Sequence, residues 1–478
     1  MATRSTSRPV DRSLSVVEPV AEGACCAACA VQQAPARLAV SVTPPVRPPI
    51  TVVESVRPMR PPIARDVDRR ITLGGVLLAA SLLGLAGLGT IALAFGGTVW
   101  LPLHIGLAGA AGTAIAAVLP FFTTALGRVA PAGPALRTCA IGLVAGGALL
   151  ATLGISRGWT GVAAGGGAAY LAGLVAVAAA AFLPLRATIG FRLRLVHLAY
   201  GGALAQVAVG VGLVTISLAG WPPVAEAWTQ LKPAHAWLNV FGFVIVVVAA
   251  SLVHLAPTVA GARIRRRRSA DVALACLVSG PPLVAIGYAA GWDPAGLAGA
   301  LLEVAGAVAL VSHGAAVQRD RGRWTSDGGW HRFTGLSLFA APIWLLVAVA
   351  IASGRIVALG AAPASWSVGP IAVPLLAGGI VQVLIGSWTH IVPAIGPGDP
   401  AAHASQRRWL GRGATARWLA WNAGTALLTA GILTGTSVLV SVGAALLGLG
   451  LVTAFGVLAV AVAVTSSRAP AAAVAARQ

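Results

Sequence analysis

Residues 234–258 read AHAWLNVFGFVIVVVAASLVHLAPT, an apolar run with a histidine near each end. Backbone amides in hydrocarbon must be hydrogen-bonded within their own segment, so a run of this length predicts a membrane-spanning α-helix. Similar runs recur along the chain and predict an all-α, polytopic membrane protein with about 12 transmembrane helices. These segments cover residues 71–95, 101–126, 137–156, 162–184, 193–219, 234–258, 270–291, 295–317, 331–353, 369–394, 414–435 and 438–464.

The composition supports this class of protein. Of 478 residues, 57% are hydrophobic and only 10% are charged, whereas about a quarter of the residues are charged in a soluble domain. A soluble enzyme and a disordered protein are therefore excluded. The net charge of +20 would suggest nucleic acid in a soluble protein. Here we expect no nucleic-acid partner, because the charge lies in the tail and in the connections, and the partner is the lipid bilayer.

The two ends of the chain differ from its centre. Residues 1–68 are rich in Pro, Arg, Val and Ala without a sustained apolar period, which predicts a disordered cytoplasmic tail. A transmembrane domain over 69–466 and a short cytoplasmic tail over 467–478 follow. No signal peptide precedes the first apolar run. Three tail cysteines are spaced so that they permit a Cu(I) or zinc site, the alternative being unpaired thiols: Cys25, Cys26 and Cys29.

Arginine predicts the orientation. The connections after even-numbered segments carry 18 arginines, among them Arg265 to Arg268, whereas the odd-numbered connections hold Arg157, Lys232 and Arg355. The positive-inside rule then places both termini in the cytoplasm of a multi-pass protein of the cytoplasmic (inner) membrane. Tryptophans lie at the predicted outer ends, as an interfacial aromatic belt requires: Trp100, Trp159, Trp221, Trp228, Trp292 and Trp366.

An internal repeat is visible in the prolines. Pro120, Pro257 and Pro393 lie 137 and 136 residues apart, near the ends of segments 2, 6 and 10. Glycines near the starts of segments 1, 5 and 9 follow a similar spacing. We therefore predict a pseudo-threefold arrangement of four-helix units, unlike the six-plus-six build of many transporters.

The histidines are the main candidates for chemistry. Residues 235 and 254 are 19 positions apart on one helix, roughly 28 Å, and cannot share a centre. The histidines therefore belong to two layers, one near each end of the helices. Imidazole is a ligand that suits haem iron and copper. We expect an outer metal layer of His104 and His235. The inner cofactor layer is drawn from His197, His254, His313 and His390, with His254 and His390 as the pair matched in the repeat. For each histidine the alternative is a hydrogen-bonded residue of the bundle.

A few polar side chains complete the candidate set. Asn239 lies four residues after His235, on the same helix face, and is expected to orient that imidazole. Glu303 is the carboxylate well inside a span and is either a protonatable site, an ion ligand or a neutral hydrogen-bonded acid. Pro257 and Pro393 are expected to free the carbonyls of Val253 and Thr389 beside the histidines, or else to mark ordinary helix ends.

These residues resemble a known family. The helix count, the repeat and the histidines on helices 2, 6 and 10 are similar to the catalytic subunit of haem-copper oxidases. Residues 234–242 through 254–258, and 382–386 followed by 389–393, resemble NnrS-like and related actinobacterial-type proteins of that superfamily. The resemblance covers about residues 70–465. It implies haem and copper binding in the membrane, a diatomic gas ligand such as nitric oxide, and an electron donor of unknown identity.

The chain departs from the oxidase pattern, and two hypotheses follow. Segment 7 has no histidine, so the three imidazoles of an oxygen-reducing copper site are missing, and His390 lies on the inner half of helix 10 instead of the outer half. The first hypothesis is a membrane haem- and/or copper-binding protein of NnrS-like type that acts in the response to nitric oxide or redox change. The alternative is a secondary transporter whose path is lined by Glu303, Gln206 and Gln382.

Overall fold

A computed structural model describes residues 62–91, 95–187, 193–321, 328–395 and 400–466. These residues form helices joined by short connections, with no strand among them. The cysteines of the N-terminal tail and the predicted tail 467–478 lie outside this part of the chain. Twelve long helices are numbered here in chain order: α1 Pro62–Ile91, α2 Trp100–Gly127, α3 Pro134–Arg157, α4 Thr160–Phe182, α5 Arg194–Leu218, α6 Trp228–Ala260, α7 Arg268–Ala290, α8 Asp293–Arg321, α9 Gly329–Leu359, α10 Gly369–Ala394, α11 Ala414–Thr434 and α12 Ser437–Ser466.

The helices are those of a polytopic membrane protein. Within the described residues, 11 helices are long and apolar enough to cross a bilayer. The remaining long helix is α11, which packs closely against α12 and whose hydropathy is lowered by Arg417 and Asn422. The all-α membrane fold predicted from the sequence is therefore confirmed.

The first helix begins earlier than its apolar run. Helix α1 starts at Pro62, inside the segment 1–68 that the composition predicts to be a disordered tail. Arg137 at the start of α3 explains the extension. Its guanidinium is 2% exposed, and it donates to Asp68 Oδ1 at 3.1 Å and to Thr72 Oγ1 at 2.7 Å. The polar turn before the apolar run is therefore held as helix by an ion pair between α1 and α3.

Three helices form the centre of the bundle. The apolar windows of α6, α2 and α10 are 83%, 72% and 67% buried, whereas those of the other spans are at most 56% buried. Each of the three also contains a π-helical segment, a form that recurs at functional sites: Ile105–Ala111, Val240–Ile245 and Val373–Val381. The second helix of each predicted four-helix unit is thus the most buried helix of its unit and contains a π-helical segment.

The last two helices of each unit form a tight hairpin. The pairs α3/α4, α7/α8 and α11/α12 are the most closely packed in the molecule. Each hairpin turns at a glycine with positive φ, namely Gly158, Gly291 and Gly435. The residue after each turn donates its N–H to the glycine carbonyl five positions earlier, at 2.8, 2.9 and 3.0 Å. The same turn is therefore built three times.

The hairpin interfaces use one repeated glycine pattern. In each hairpin, four glycines are spaced by 7, 12 and 7 residues, and a Cβ at any of them would overlap the facing helix. Small residues allow membrane helices to approach closely. The pattern extends the threefold repeat to a second set of residues: Gly147, Gly154, Gly166 and Gly173; Gly280, Gly287, Gly299 and Gly306; Gly424, Gly431, Gly443 and Gly450.

Candidate functional site

The two histidines of the predicted metal layer lie at the arginine-poor end of the central helices. His104 is the last residue before the π segment of α2, and His235 lies in α6 five residues before its own π segment. The π segments of α2 and α6 contact each other, and His104 lies within electrostatic reach of His235. The two residues of the predicted metal layer therefore lie in the same region of the bundle.

Both imidazoles are oriented by backbone carbonyls. His104 Nδ1 lies 2.8 Å from the Trp100 carbonyl, and His235 Nδ1 lies 2.8 Å from the Gly210 carbonyl of α5. An N–H at Nδ1 that donates to a carbonyl fixes the tautomer and leaves the Nε2 lone pair for a metal. The amide nitrogen of Asn239 lies 2.9 Å from His235 Nδ1 and 3.4 Å from its Nε2, so the two residues that share a helix face are in contact.

Aromatic rings hold the same two imidazoles in place. Trp100 stacks on His104 with ring centroids 4.2 Å apart, and the Trp228 ring lies 5.7 Å from that of His235. Both imidazoles remain half-buried. The carbonyl and ring contacts therefore both restrict how the two imidazoles can turn.

The inner histidines have different surroundings. His254 Nε2 lies 3.0 Å from the Tyr200 hydroxyl, which is also 3.0 Å from Ser251 Oγ. Phe122 meets the His254 ring edge-on at 4.8 Å, and His197 of α5 is within electrostatic reach. The Nε2 atom of His254 is therefore engaged in a buried network of hydroxyl groups.

His313 and Pro257 lie near each other. Pro257 is inside helix α6, three residues before its end, so it frees the Val253 carbonyl as predicted. His313 of α8 is 1% exposed and lies near that carbonyl, although neither ring nitrogen makes a hydrogen bond of ordinary geometry.

His390 occupies a third environment. Its ring stacks on Trp330 at 6.1 Å and lies 6.2 Å from His331, both at the start of α9. Helices α6 and α10 each pack on α9. Among the contacts of the described residues, none joins His390 to His254, so a shared centre of these two histidines stays a prediction.

Two of the three side chains proposed for a transport path lie against the same helix. Gln206 of α5 donates to the Val278 carbonyl of α7 at 3.0 Å, and Glu303 of α8 packs against Gly280 of α7. Gln382 of α10 instead pairs with α11, where its amide oxygen accepts from Asn422 at 2.9 Å. The path through these residues stays a prediction.

Some residues of these sites have no signal in the sequence. Tyr200 gives no local signal, because its partner His254 is 54 positions away in the chain. The same holds for the Gly210 carbonyl, which any residue would supply. The glycine repeat was readable, since the spacing of 7, 12 and 7 recurs at offsets of 133 and 144 residues.

Comparison with known proteins adds no family to this geometry. Neither a scan against protein-family models nor a search of curated proteins finds a match to the chain.

Proposed function

We propose that this chain is an integral membrane haem-binding protein whose iron is held by His104 and His235. The observation that carries this proposal is the matched geometry of the pair. Each imidazole comes from a central helix, precedes a π segment, and has its Nδ1 against a backbone carbonyl at 2.8 Å. With Nδ1 on a carbonyl, Nε2 is the atom of each imidazole that would bind the iron.

The donor set favours haem over a copper ion held by protein alone. Within the described residues, no group of three or more His, Cys, Asp or Glu side chains is placed to hold a metal. A haem iron receives four ligands from its porphyrin and needs only one or two imidazoles. The histidine pair meets that need, and it fits a bare copper ion less well.

The residues around the pair have distinct tasks. Haem, when bound, would supply one-electron chemistry, and its iron would take a diatomic gas only in exchange for one of the two imidazoles. The Trp100 and Gly210 carbonyls keep the imidazoles in the ligating tautomer, and Asn239 restricts the rotation of the His235 ring. Trp100 and Trp228 supply apolar walls. A role in the response to nitric oxide or to redox change follows from this proposal.

The test is haem content and spectrum of the purified protein. We expect a Soret band of a bis-imidazole haem in the wild type. Both His104→Ala and His235→Ala should lose the six-coordinate spectrum and most of the bound haem. His254→Ala and His390→Ala are matched controls, because they remove membrane histidines outside the pair.

Three results would contradict the proposal. They are haem retained with an unchanged spectrum in the His104→Ala/His235→Ala double variant, haem lost only from the inner variants, and a wild type that binds no added haem. Copper content measured on the same samples separates a copper protein from a haem protein. A protein that binds neither haem nor copper would favour the transporter hypothesis.

A further inference from the structure

A buried carboxyl group lies inside the predicted membrane span α8. Glu303 is 0% exposed, and among the described residues neither of its carboxylate oxygens has a hydrogen-bond partner. It lies ten residues after the start of the 29-residue helix α8. Polar groups at this depth are costly unless they serve a purpose, so Glu303 requires an explanation.

The fold makes room for this side chain. A Cβ on Gly280 of α7 would lie 2.8 Å from Glu303 Oε1 and 2.9 Å from its Cγ. The next two residues, Pro281 and Pro282, lie inside α7 and free the carbonyls of Leu277 and Val278. Gln206 satisfies the Val278 carbonyl. The Leu277 carbonyl lies on the same helix, three residues before Gly280.

The threefold repeat shows what this position does elsewhere. An offset of 133 residues relates Gly147 to Gly280, and the same offset relates Tyr170 to Glu303. The Tyr170 hydroxyl lies 3.5 Å from the Ala108 carbonyl in the π segment of α2. The third unit has Leu447 at this position, packed on Gly424. The position thus accepts a neutral side chain in the other two units.

We propose that Glu303 is a proton-binding site in the middle of the bilayer, a carboxylic acid that carries its proton and exchanges it through the proline break of α7. An ionised carboxylate here would be buried without a cation, at a cost that proteins avoid. A protonated carboxylic acid has an O–H group that can donate to a carbonyl freed by the prolines of α7. Water that satisfies carbonyls at a helix break supplies the exchange route.

Among the described residues, no salt bridge involves Glu303. Cys276, one turn before Gly280 on α7, is an ionisable side chain within electrostatic reach of Glu303. The proposal is independent of haem binding, so either can fail without the other.

Infrared spectroscopy of the purified full-length protein tests this site directly. The wild type minus Glu303→Gln difference spectrum should contain the C=O stretching band of a protonated carboxylic acid, and the band should move to lower frequency in D₂O. Asp293→Asn is the matched control. Asp293 Oδ1 accepts from the Ala361 N–H at 2.7 Å at the end of the bundle, and its difference spectrum should show carboxylate bands.

Two outcomes would overturn the proposal: no carboxylic acid band at Glu303, or a band that does not shift in D₂O. If Glu303→Gln does not fold, an apolar carbodiimide is used on the wild type instead. The carboxylic acid O–H adds across its C=N bond, and the acyl group then migrates to nitrogen to leave a stable N-acylurea. We expect mass spectrometry to find this adduct at Glu303 in membranes. An adduct formed only after unfolding in detergent would also refute the site.

Discussion

Gly147 and Gly146 are neighbours on α3 whose replacement by alanine should have opposite effects. A Cβ on Gly147 would lie 2.5 Å from the Tyr170 backbone nitrogen and 2.8 Å from the Gly166 carbonyl oxygen, both in α4. A Cβ on Gly146 would have nothing within 4 Å. The two substitutions add the same methyl group to the same helix, so only the interface distinguishes them.

The expected magnitudes follow from this geometry. Ordinary carbon contacts lie at about 3.5–4 Å, so Gly147→Ala must open the hairpin by about 1 Å. Such a gap forfeits a quarter to a half of each contact energy, which over about 50 contacts of about 0.15 kcal/mol amounts to about 2–4 kcal/mol. Alanine regains about 0.5–1 kcal/mol of helix propensity. Gly147→Ala should therefore destabilise the protein by about 1–3 kcal/mol, whereas Gly146→Ala should be neutral or slightly stabilising.

The assay is reversible unfolding of the purified protein in mixed detergent, with the two variants measured beside the wild type. Gly280→Ala and Gly424→Ala, at the equivalent positions of the other hairpins, should behave like Gly147→Ala. Equal unfolding midpoints for the two α3 variants would refute the claim that close backbone contact holds the hairpins together. A loss of stability in Gly147→Ala, without one in Gly280→Ala and Gly424→Ala, would refute the equivalence of the three units.

Other predictions concern stability, topology and activity. Asp68→Ala should destabilise the protein by about 3 kcal/mol, since the buried Arg137 guanidinium loses its anion; an unfolding midpoint equal to that of the wild type would contradict this. A reporter active only in the periplasm, fused after Gln478, should be silent if the arginine bias sets the orientation, and activity would show that the orientation is wrong. Haem-loaded protein with an artificial electron donor should not consume oxygen, because α7 has no histidine and His235 and His254 are too far apart to share a copper; sustained, cyanide-sensitive turnover would contradict that reasoning.

Much of the architecture was predictable because hydrocarbon leaves the backbone few choices. Long apolar runs must be helices, and the structure has a helix at each of the predicted segments. The proline spacing indicated three units, and the glycine spacing marks the same units independently. The start of α1 was less predictable, since the ion pair between Asp68 and Arg137 joins residues 69 positions apart.

The candidate site was also predictable only in part. Helix periodicity alone placed Asn239 beside His235, because residues four apart share a helix face. Depth arguments also placed His104 and His235 in one layer. The expected pairing of His254 with His390 rested on equivalent positions in a repeat, and it stays a prediction, because equivalence in a repeat does not by itself imply contact.

The sequence by itself determined the helices, their number except for α11, the repeat and the position of each histidine along its helix. These are properties of hydrophobicity and of spacing along one helix. Only the tertiary structure decided that His104 and His235 share one region of the bundle, that Tyr200 engages His254, and that the central helices contain π segments. The physical reason is that these features arise from contacts between helices distant in the chain: the Gly210 carbonyl that orients His235 belongs to another helix, and so does the Gly280 surface that accommodates Glu303.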